Sequence, residues 1–303
     1  MKIGVIMQRY LPSHQGAIMP EVVQLLREWG ARVDIICPDE QLTDMTRVRV
    51  NYDLYILKTK TDLSLSLAGI LHTTGAIILN SYPVSTVLRD KIMTTQILQA
   101  AGVPIPQTYV AAHPRQLAPL LEDGPLVVKP YRGSQGRGVR VVRSSAQLET
   151  DSTGSESVFA QRYHEPDGHD HKIYCIGGQI FGVRRPWPVR TYEEKVGQPF
   201  TITPELREIT QRCGQAFGID LYGVDVVVSA GRPYVVDISS FPGFKGVPNA
   251  ALRLADYIYA AAHRTIRGET LFPVTERLSV GLEWAAPAAA AAFQIISRKE
   301  LVI

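Results

Sequence analysis

Two aspartates interrupt apolar strand patterns in the last third of the chain. Asp225 lies inside GVDVVV at 223–228, and Asp237 lies inside VVDISS at 235–240. Since only the short polar segment SAGRP separates the two runs, we expect them to pair as a hairpin. Two neighbouring carboxylates on buried strands are unfavourable unless a cation or a base neutralises them, and Mg²⁺ prefers such oxygen ligands. The pattern predicts a magnesium site; the alternative is two strand-end aspartates on opposite faces of the sheet.

A glycine-rich loop follows a lysine in another apolar run. Lys129 lies on the strand that opens VVKPYRGSQGRGVRVV. The loop after it contains Gly133, Ser134, Gly136 and Gly138. Glycines let backbone N–H groups turn toward an anion, and the lysine adds a positive charge beside it. The loop leads into a strand and lacks GKS or GKT, so it is not a Walker motif. It predicts a phosphate-binding loop; a flexible hairpin with a solvated lysine is the alternative.

The stretch SVFAQRYHEPDGHDHK at 157–172 is the third group of polar residues. We expect a strand along which Gln161, Tyr163 and Glu165 alternate on one face. The backbone of this strand offers hydrogen bonds to an adenine, and Glu165 offers a carboxylate to ribose hydroxyls. The nearby histidines do not match the spacing of a zinc site. A solvated turn is the alternative for the histidine at 169.

Cationic side chains follow in VRRPWPVR at 183–190. Arg184, Arg185 and Arg190 lie close together, and Lys172 precedes them on a neighbouring run. Guanidinium groups bind phosphate or carboxylate with two hydrogen bonds. We therefore predict an anionic ligand for these four residues, against the alternative of an ordinary basic surface.

The elements that must position these residues fall into three parts. Short apolar runs at 3–7, 32–37, 52–57 and 76–79 alternate with helical spacing, which predicts a parallel sheet with helices on its faces. No GxGxxG follows the first strand, which argues against a dinucleotide site there.

From 126 to 182 the runs are strand-like with polar turns, which predicts an antiparallel sheet. Helices are expected at 19–29, 88–101, 204–217 and 248–263. We predict an N-terminal α/β domain at 1–84, a central α+β subdomain at 85–182 and a C-terminal one at 183–303.

Composition sets broad limits on the class of protein. The chain has 303 residues, with 45% hydrophobic and 20% charged, which is ordinary for a globular enzyme. The net charge of +3 is too small to predict a nucleic-acid partner. No apolar run is long enough for a membrane span, and three widely spaced cysteines are expected to be reduced and buried. These features predict a cytoplasmic protein and leave its oligomeric state open.

Taken in chain order, the four groups resemble the ATP-grasp superfamily over residues 85–262. The resemblance implies that ATP, with Mg²⁺, binds between two α+β subdomains after a small α/β domain. It also implies that Lys91 and Lys129 bind the nucleotide, that GSQGRGV is the lid loop, and that Glu165 lies at the ribose position. Lys172 then takes the place of a basic substrate-binding residue.

Two branches of the superfamily are similar to different parts of the chain. Ribosomal-protein glutamate ligases resemble it in the lid and in the spacing from Glu165 to Lys172. Inositol polyphosphate kinases resemble it at RRPWP and DISSFPG, but carry a histidine where this chain has Pro166. Both have an asparagine where this chain has Ser239, the third candidate metal ligand. We expect a carboxylate–amine ligase with an anionic small-molecule or peptide acceptor; a small-molecule kinase and a nucleotide-binding protein without turnover are the alternatives.

Overall fold

A four-stranded parallel sheet forms the N-terminal part of the protein. A computed structural model describes residues 1–9, 16–59, 61–131, 138–151 and 157–271. The sheet has the order β2-β1-β3-β4, with β1 (Lys2–Met7), β2 (Arg32–Ile36), β3 (Leu54–Lys58) and β4 (Ile78–Leu79). The pairs run parallel, which confirms the predicted α/β arrangement. Helices α1 (Met19–Glu28) and α2 (Asp62–Thr73) connect the strands, and short 3-10 helices span Pro38–Glu40 and Met45–Arg47.

The predicted helix at 88–101 is shorter than expected. Helix α3 (Tyr82–Val87) ends before it, and α4 (Lys91–Ala100) starts at Lys91. Asp90 has extended backbone angles, and its carboxylate accepts hydrogen bonds from the N–H groups of Ile92 and Met93. An acidic N-cap satisfies backbone donors that have no partner within the helix, so the chain restarts helical structure after Asp90.

The second sheet is antiparallel and has the order β5-β8-β6-β7. Its strands are β5 (Thr108–Ala111), β6 (Leu126–Pro130), β7 (Arg140–Val142) and β8 (Val158–Arg162), and 3-10 helices span Pro114–Asp123 and Ser145–Asp151. It has a small apolar core of its own, which includes Leu117, Leu126, Val128 and Leu148.

The third sheet is also antiparallel, with the order β11-β10-β9-β12-β13. Its strands are β9 (His169–Ile176), β10 (Gln179–Pro186), β11 (Gln198–Phe200), β12 (Leu221–Ser229) and β13 (Arg232–Ser240). The helices of this part are α5 (Tyr192–Val196), α6 (Pro204–Phe217) and α7 (Ala250–Ile266).

The strands between 126 and 182 do not share one sheet, contrary to our expectation. Strand β9 pairs with β12 of the third sheet and not with the strands that precede it. The predicted boundary after residue 182 falls inside β10, and the domain limits stay a prediction. The periodicity of a segment predicts that it forms a strand, but it does not identify the strand with which it pairs. A tight hairpin between β9 and β10 is compatible with either sheet.

Apolar packing joins the third sheet to the first. One large core contains Ile3 and Val5 of the first sheet, Ile176 of the third, and Leu254 and Ile258 of α7. Each is fully or almost fully buried, and burial of such a side chain contributes about 1.5–3 kcal/mol. The opposite face of the third sheet packs against α6 in a separate core. Within the described ranges, no helix combines the length and apolar composition needed to cross a lipid bilayer.

The cysteines give a direct test of this packing. Cys37, Cys175 and Cys213 are free and buried, as predicted. Burial raises the pKa of Cys175 to about 11 and that of Cys213 to about 12. Because the thiolate is the reactive form, we expect these two thiols in the native protein to react with Ellman's reagent at pH 8 far more slowly than after unfolding in guanidinium. Rapid labelling of more than one thiol in the native protein would contradict the packing described.

Candidate functional site

Five charged side chains project from one face of the third sheet. In the antiparallel register Lys172 pairs with Asp225, Asp225 pairs with Asp237, and Arg185 pairs with Asp170. Directly paired residues point to the same side of a sheet, and residues two apart on one strand do so as well. The predicted hairpin is confirmed, and its two aspartates are neighbours on one face.

A β-bulge in β13 is the reason that Asp237 faces this side. Val226 pairs with Val235, whereas Asp225 pairs with Asp237, so Val236 is the extra residue. Without the extra residue, simple alternation would place Asp237 on the same side as Val235, which lies in the core beneath the sheet. The bulge shifts the register by one position and moves the carboxylate to the open face.

Protein cations already neutralise Asp225. Lys172 Nζ donates a hydrogen bond of 2.6 Å to Asp225 Oδ2, and a guanidinium nitrogen of Arg185 lies 3.4 Å from Asp225 Oδ1. The same guanidinium forms an ion pair with Asp170. Burial opposes the charge on Lys172, but Asp225, Tyr174 and Asp237 together outweigh this effect and raise the lysine pKa. Lys172 and Arg185 therefore supply the neutralising cations that a carboxylate in this position requires, and the metal site stays a prediction.

Asp237 is the more open of the two carboxylates. Its side chain is exposed to solvent, yet the surrounding protein desolvates the carboxyl group and raises its pKa, and Asp225 acts in the same direction. The lysines at 172, 129 and 91 act in the opposite direction. Asp237 therefore lies where acidic and basic groups converge.

The oxygen atoms on this face fit a divalent metal ion only in part. Ser239 shares the face with Asp237, and its Oγ lies 3.4 Å from the carbonyl oxygen of Gly223. Among the side chains that the structure describes, no three His, Cys, Asp or Glu residues group closely enough to hold a metal ion. Asp225, Asp237 and Ser239 offer hard oxygen donors of the kind Mg²⁺ binds, and a ligand or water must supply the rest.

Two lysines face Asp237 across a cavity between the second and third sheets. Lys91, Lys129, Gln161 and Asp237 are among the residues that line it. Lys129 Nζ donates to Gln161 Oε1 at 2.7 Å and to the carbonyl of Val236 at 2.9 Å. That carbonyl belongs to the bulge residue, so the bulge also provides an acceptor for Lys129. Burial lowers the pKa of Lys129, and Asp237 partly offsets this effect.

Lys91 is fixed at the start of α4. Its Nζ donates to the carbonyl of Tyr131 at 3.2 Å, and the hydroxyl of Tyr131 donates to Asp90 Oδ2 at 2.6 Å. Burial lowers the pKa of Lys91, while the charge of Asp237 raises it. The two lysines therefore present positive charge to one cavity from two different elements.

The residues after β8 do not continue the strand, contrary to our expectation. Strand β8 ends at Arg162, so Tyr163 and Glu165 lie beyond it, whereas Gln161 is buried beside Lys129. Burial raises the pKa of Tyr163, and a side-chain hydrogen bond with Glu165 adds to the effect. His164 stacks on Tyr234 of β13 at 3.8 Å between ring centroids, which joins this connection to the third sheet.

The four predicted anion-binding cations do not converge. Lys172 and Arg185 lie on the charged face, but Arg184 pairs with His171 and projects from the opposite side of β10. Arg190 is exposed, and its backbone N–H donates to Glu194. Adjacent residues on a strand alternate between faces, so Arg184 and Arg185 cannot share one.

Part of the predicted lid lies outside the described residues, namely Gly133, Ser134 and Gly136. Gly138 has a φ of +73°, and a Cβ there would lie 2.7 Å from Pro130 Cγ. Glycine is required at this position.

Asp170 is a site residue that our sequence interpretation missed. It binds Arg185 and lies two residues from Lys172 on β9. Residues two apart lie on the same face of a strand, and this spacing from Lys172 could have identified Asp170 from the sequence.

Comparison with known proteins identifies the family. The RimK-like ATP-grasp domain matches residues 88–259, which is more than half of the chain. The chain therefore belongs to the RimK-like ATP-grasp family. This confirms both the predicted superfamily and the mixed α/β and α+β fold.

Curated relatives and solved structures agree with this assignment. The chain is 30% identical over 194 residues to a probable alpha-L-glutamate ligase of Alkalilimnicola ehrlichii, a match to 59% of this chain and 64% of the relative. A probable alpha-L-glutamate ligase of Parasynechococcus marenigrum is 27% identical over 176 residues, 54% of this chain and 38% of the relative. The matches thus span less than two thirds of these two relatives.

Two solved structures share the fold at lower identity. The crystal structure of a D-cycloserine synthetase has a TM-score of 0.70 at 19% identity and covers 88% of this chain and all of its own. The ATP-grasp ligase PsnB, complexed with a minimal precursor, Mg and ADP, has a TM-score of 0.66 at 16% identity, covering 86% of this chain and 97% of its own.

The Lys172–Asp225 ion pair can be tested by a double-mutant cycle. Lys172→Met leaves a partly buried carboxylate without its hydrogen-bonded cation, so we expect the free energy of unfolding to fall by about 2–4 kcal/mol. Lys172→Met combined with Asp225→Asn should recover part of this loss, because both charges are then removed. Urea denaturation measures each variant, with Lys2→Met at an exposed lysine as control. Strict additivity of the two substitutions would show that the pair is not coupled.

Proposed function

We propose that this chain is an ATP- and Mg²⁺-dependent ligase that joins a carboxylate to an amine, with release of ADP and phosphate. The observation that carries the proposal is the cavity in which Lys91 and Lys129 face Asp237, within an ATP-grasp fold. Two cations and one carboxylate that line the same cavity suit a polyphosphate that carries a divalent metal ion.

Each site residue has a proposed role in nucleotide binding. Lys91 and Lys129 neutralise phosphate oxygens, and Gln161 orients Lys129 through the observed hydrogen bond. The backbone after β8 receives the adenine, and Glu165 binds the ribose. Gly133, Ser134, Gly136 and Gly138 remain the predicted phosphate-binding residues of the lid loop.

Asp225, Asp237 and Ser239 are the proposed metal-binding residues. Mg²⁺ bound with the nucleotide would reduce charge repulsion between the phosphates and the incoming carboxylate. Asp237 is the open ligand, whereas Asp225 is held by Lys172 and Arg185. The hydroxyl of Ser239 reaches less far than an asparagine amide, so we expect weaker metal binding on that side.

The proposed reaction has two steps. An acceptor carboxylate oxygen attacks the γ-phosphorus of ATP, the bond to ADP breaks, and an acyl phosphate forms. The amine nitrogen then attacks the acyl carbon, phosphate leaves, and the amine loses a proton. Positioning and charge neutralisation supply most of the catalysis, and Lys172 and Arg185 lie on the face where the acceptor carboxylate would bind.

The acceptor is proposed to be an anionic amino acid, peptide or other small molecule. The relatives are probable glutamate ligases, and PsnB is complexed with a precursor. These comparisons favour the ligase over the small-molecule kinase. A nucleotide-binding protein without turnover is the second candidate, and the serine at position 239 is the observation that favours it.

Product analysis with a metal-site variant tests the proposal. With a mixture of amino acids and MgCl₂, we expect ADP and free phosphate in equal amounts. Asp237→Asn should lower the rate roughly 100-fold, because the open metal ligand loses its charge. Asp256→Asn, at an exposed aspartate of α7, is the control for loss of a carboxylate. Phosphate retained on the acceptor would indicate a kinase, and nucleotide binding without ADP formation would indicate the second candidate.

The positive charge of Lys129 should strengthen nucleotide binding and lower the stability of the folded protein. Since burial lowers its pKa, the folded protein disfavours its charge, and Lys129→Met should leave the melting temperature unchanged or raised. The same substitution removes a charged phosphate donor and should weaken ADP binding by about tenfold or more. Calorimetry with ADP and thermal denaturation measure the two effects, with exposed Lys195→Met as control. Unchanged ADP affinity would contradict the assigned role.

A further inference from the structure

A lysine of the first sheet binds the segment that follows the candidate metal ligands. Lys58 is the last residue of β3. Its Nζ donates to the carbonyl of Phe241 at 2.5 Å and to that of Pro242 at 3.2 Å. The same ammonium lies 5.3 Å from the centroid of the Phe241 ring. Lys58 thus contacts the chain two and three residues after Ser239.

A second side chain from the same edge binds the end of β13. Asn80 follows β4 and is fully buried. Its Nδ2 donates to the carbonyl of Leu221 at 2.6 Å and to the hydroxyl of Ser240 at 2.9 Å. Ser240 is the last residue of β13 and directly follows Ser239. The two contacts are separate, one from the last residue of β3 and one from the residue that follows β4.

The segment held in this way has an unfavourable backbone conformation. Phe241 has a φ of +44° although it is not glycine. A residue in the left-handed region is strained and persists only where its surroundings hold it. Its N–H donates to the carbonyl of Leu221 at 3.0 Å, and its ring is buried. With the donation from Lys58, both backbone polar groups of Phe241 are bound.

We propose that Lys58 and Asn80 are positioning residues for the metal site. The inference rests on the proposed function, in which Asp237 and Ser239 bind Mg²⁺. The ligands of Mg²⁺ must approach an octahedral arrangement closely, so a small movement at the end of β13 weakens binding. Both residues lie outside the 88–259 segment that matches the family. The first sheet therefore completes a site whose ligands all belong to the third.

Metal affinity separates this role from simple stabilisation of the fold. The experiment is a Mn²⁺ titration followed by electron paramagnetic resonance with saturating ADP, together with calorimetry of ADP in EDTA. We expect Lys58→Met to weaken Mn²⁺ binding about tenfold, and the affinity for ADP without metal to change less than about twofold. Lys58→Arg keeps charge and donors and should restore most of the Mn²⁺ affinity. Asn80→Leu should weaken Mn²⁺ binding in the same manner.

The matched control is Lys2→Met, an exposed lysine at the opposite end of the same sheet. Lys58→Gln retains a neutral donor, and its Mn²⁺ affinity should lie between those of the wild type and Lys58→Met. Unchanged Mn²⁺ affinity in Lys58→Met overturns the inference. The inference is also overturned if Lys58→Met weakens metal-free ADP binding as much as it weakens Mn²⁺ binding, and Lys58→Arg restores neither. Lys58 would then act only through the stability of the fold. Failure of the wild type itself to bind Mn²⁺ with ADP would instead remove the metal site, and with it the proposed function.

Discussion

The geometry of the site depends on one extra residue in β13. Hydrophobic burial requires Val235 and Ile238 to face α6, yet these residues are three apart and a regular strand cannot place both on one side. The bulge at Val236 satisfies this constraint. As a result Asp237 emerges beside Asp225, and the carbonyl of Val236 becomes available to Lys129. Packing of the core thus determines where the site charges lie.

The charged face that results is close to balanced. Asp170, Asp225 and Asp237 oppose Lys172 and Arg185, so the five side chains leave a single excess negative charge. Four of the five are joined in ion pairs, which hold them in place, and Asp237 remains the most open. A partly buried network of this type contributes more to geometry than to stability, since desolvation of the charges offsets much of their attraction. Its fixed side chains are suited to orient a ligand without reorganisation.

Local patterns in the sequence predicted local structure well. Helix α6 was predicted with its observed ends, and the Asp225–Asp237 hairpin follows from two apolar runs and a short turn. Helix α2 was missed, because polar and apolar residues alternate in SLSLAG as they do in a strand. The helical signal was the N-cap residue Thr61, which precedes this segment. The association of β9 with β12 was also beyond prediction, since periodicity does not identify a strand's partner. The bulge and the contacts of Lys58 and Asn80 depend on tertiary packing across long sequence separations and leave no local pattern.

The distribution of apolar cores has a consequence for motion. The first sheet and the third share one continuous core, whereas the second sheet packs around its own small cluster. Relative rotation of the first and third sheets would expose large apolar side chains, so the two are expected to move as one rigid body. Among the described residues, the strands of the second sheet belong to neither core that the third sheet forms, and Lys129 of β6 donates a hydrogen bond to the carbonyl of Val236. Polar contacts of this kind can exchange for water, so relative motion within the protein is expected where the second sheet meets the third.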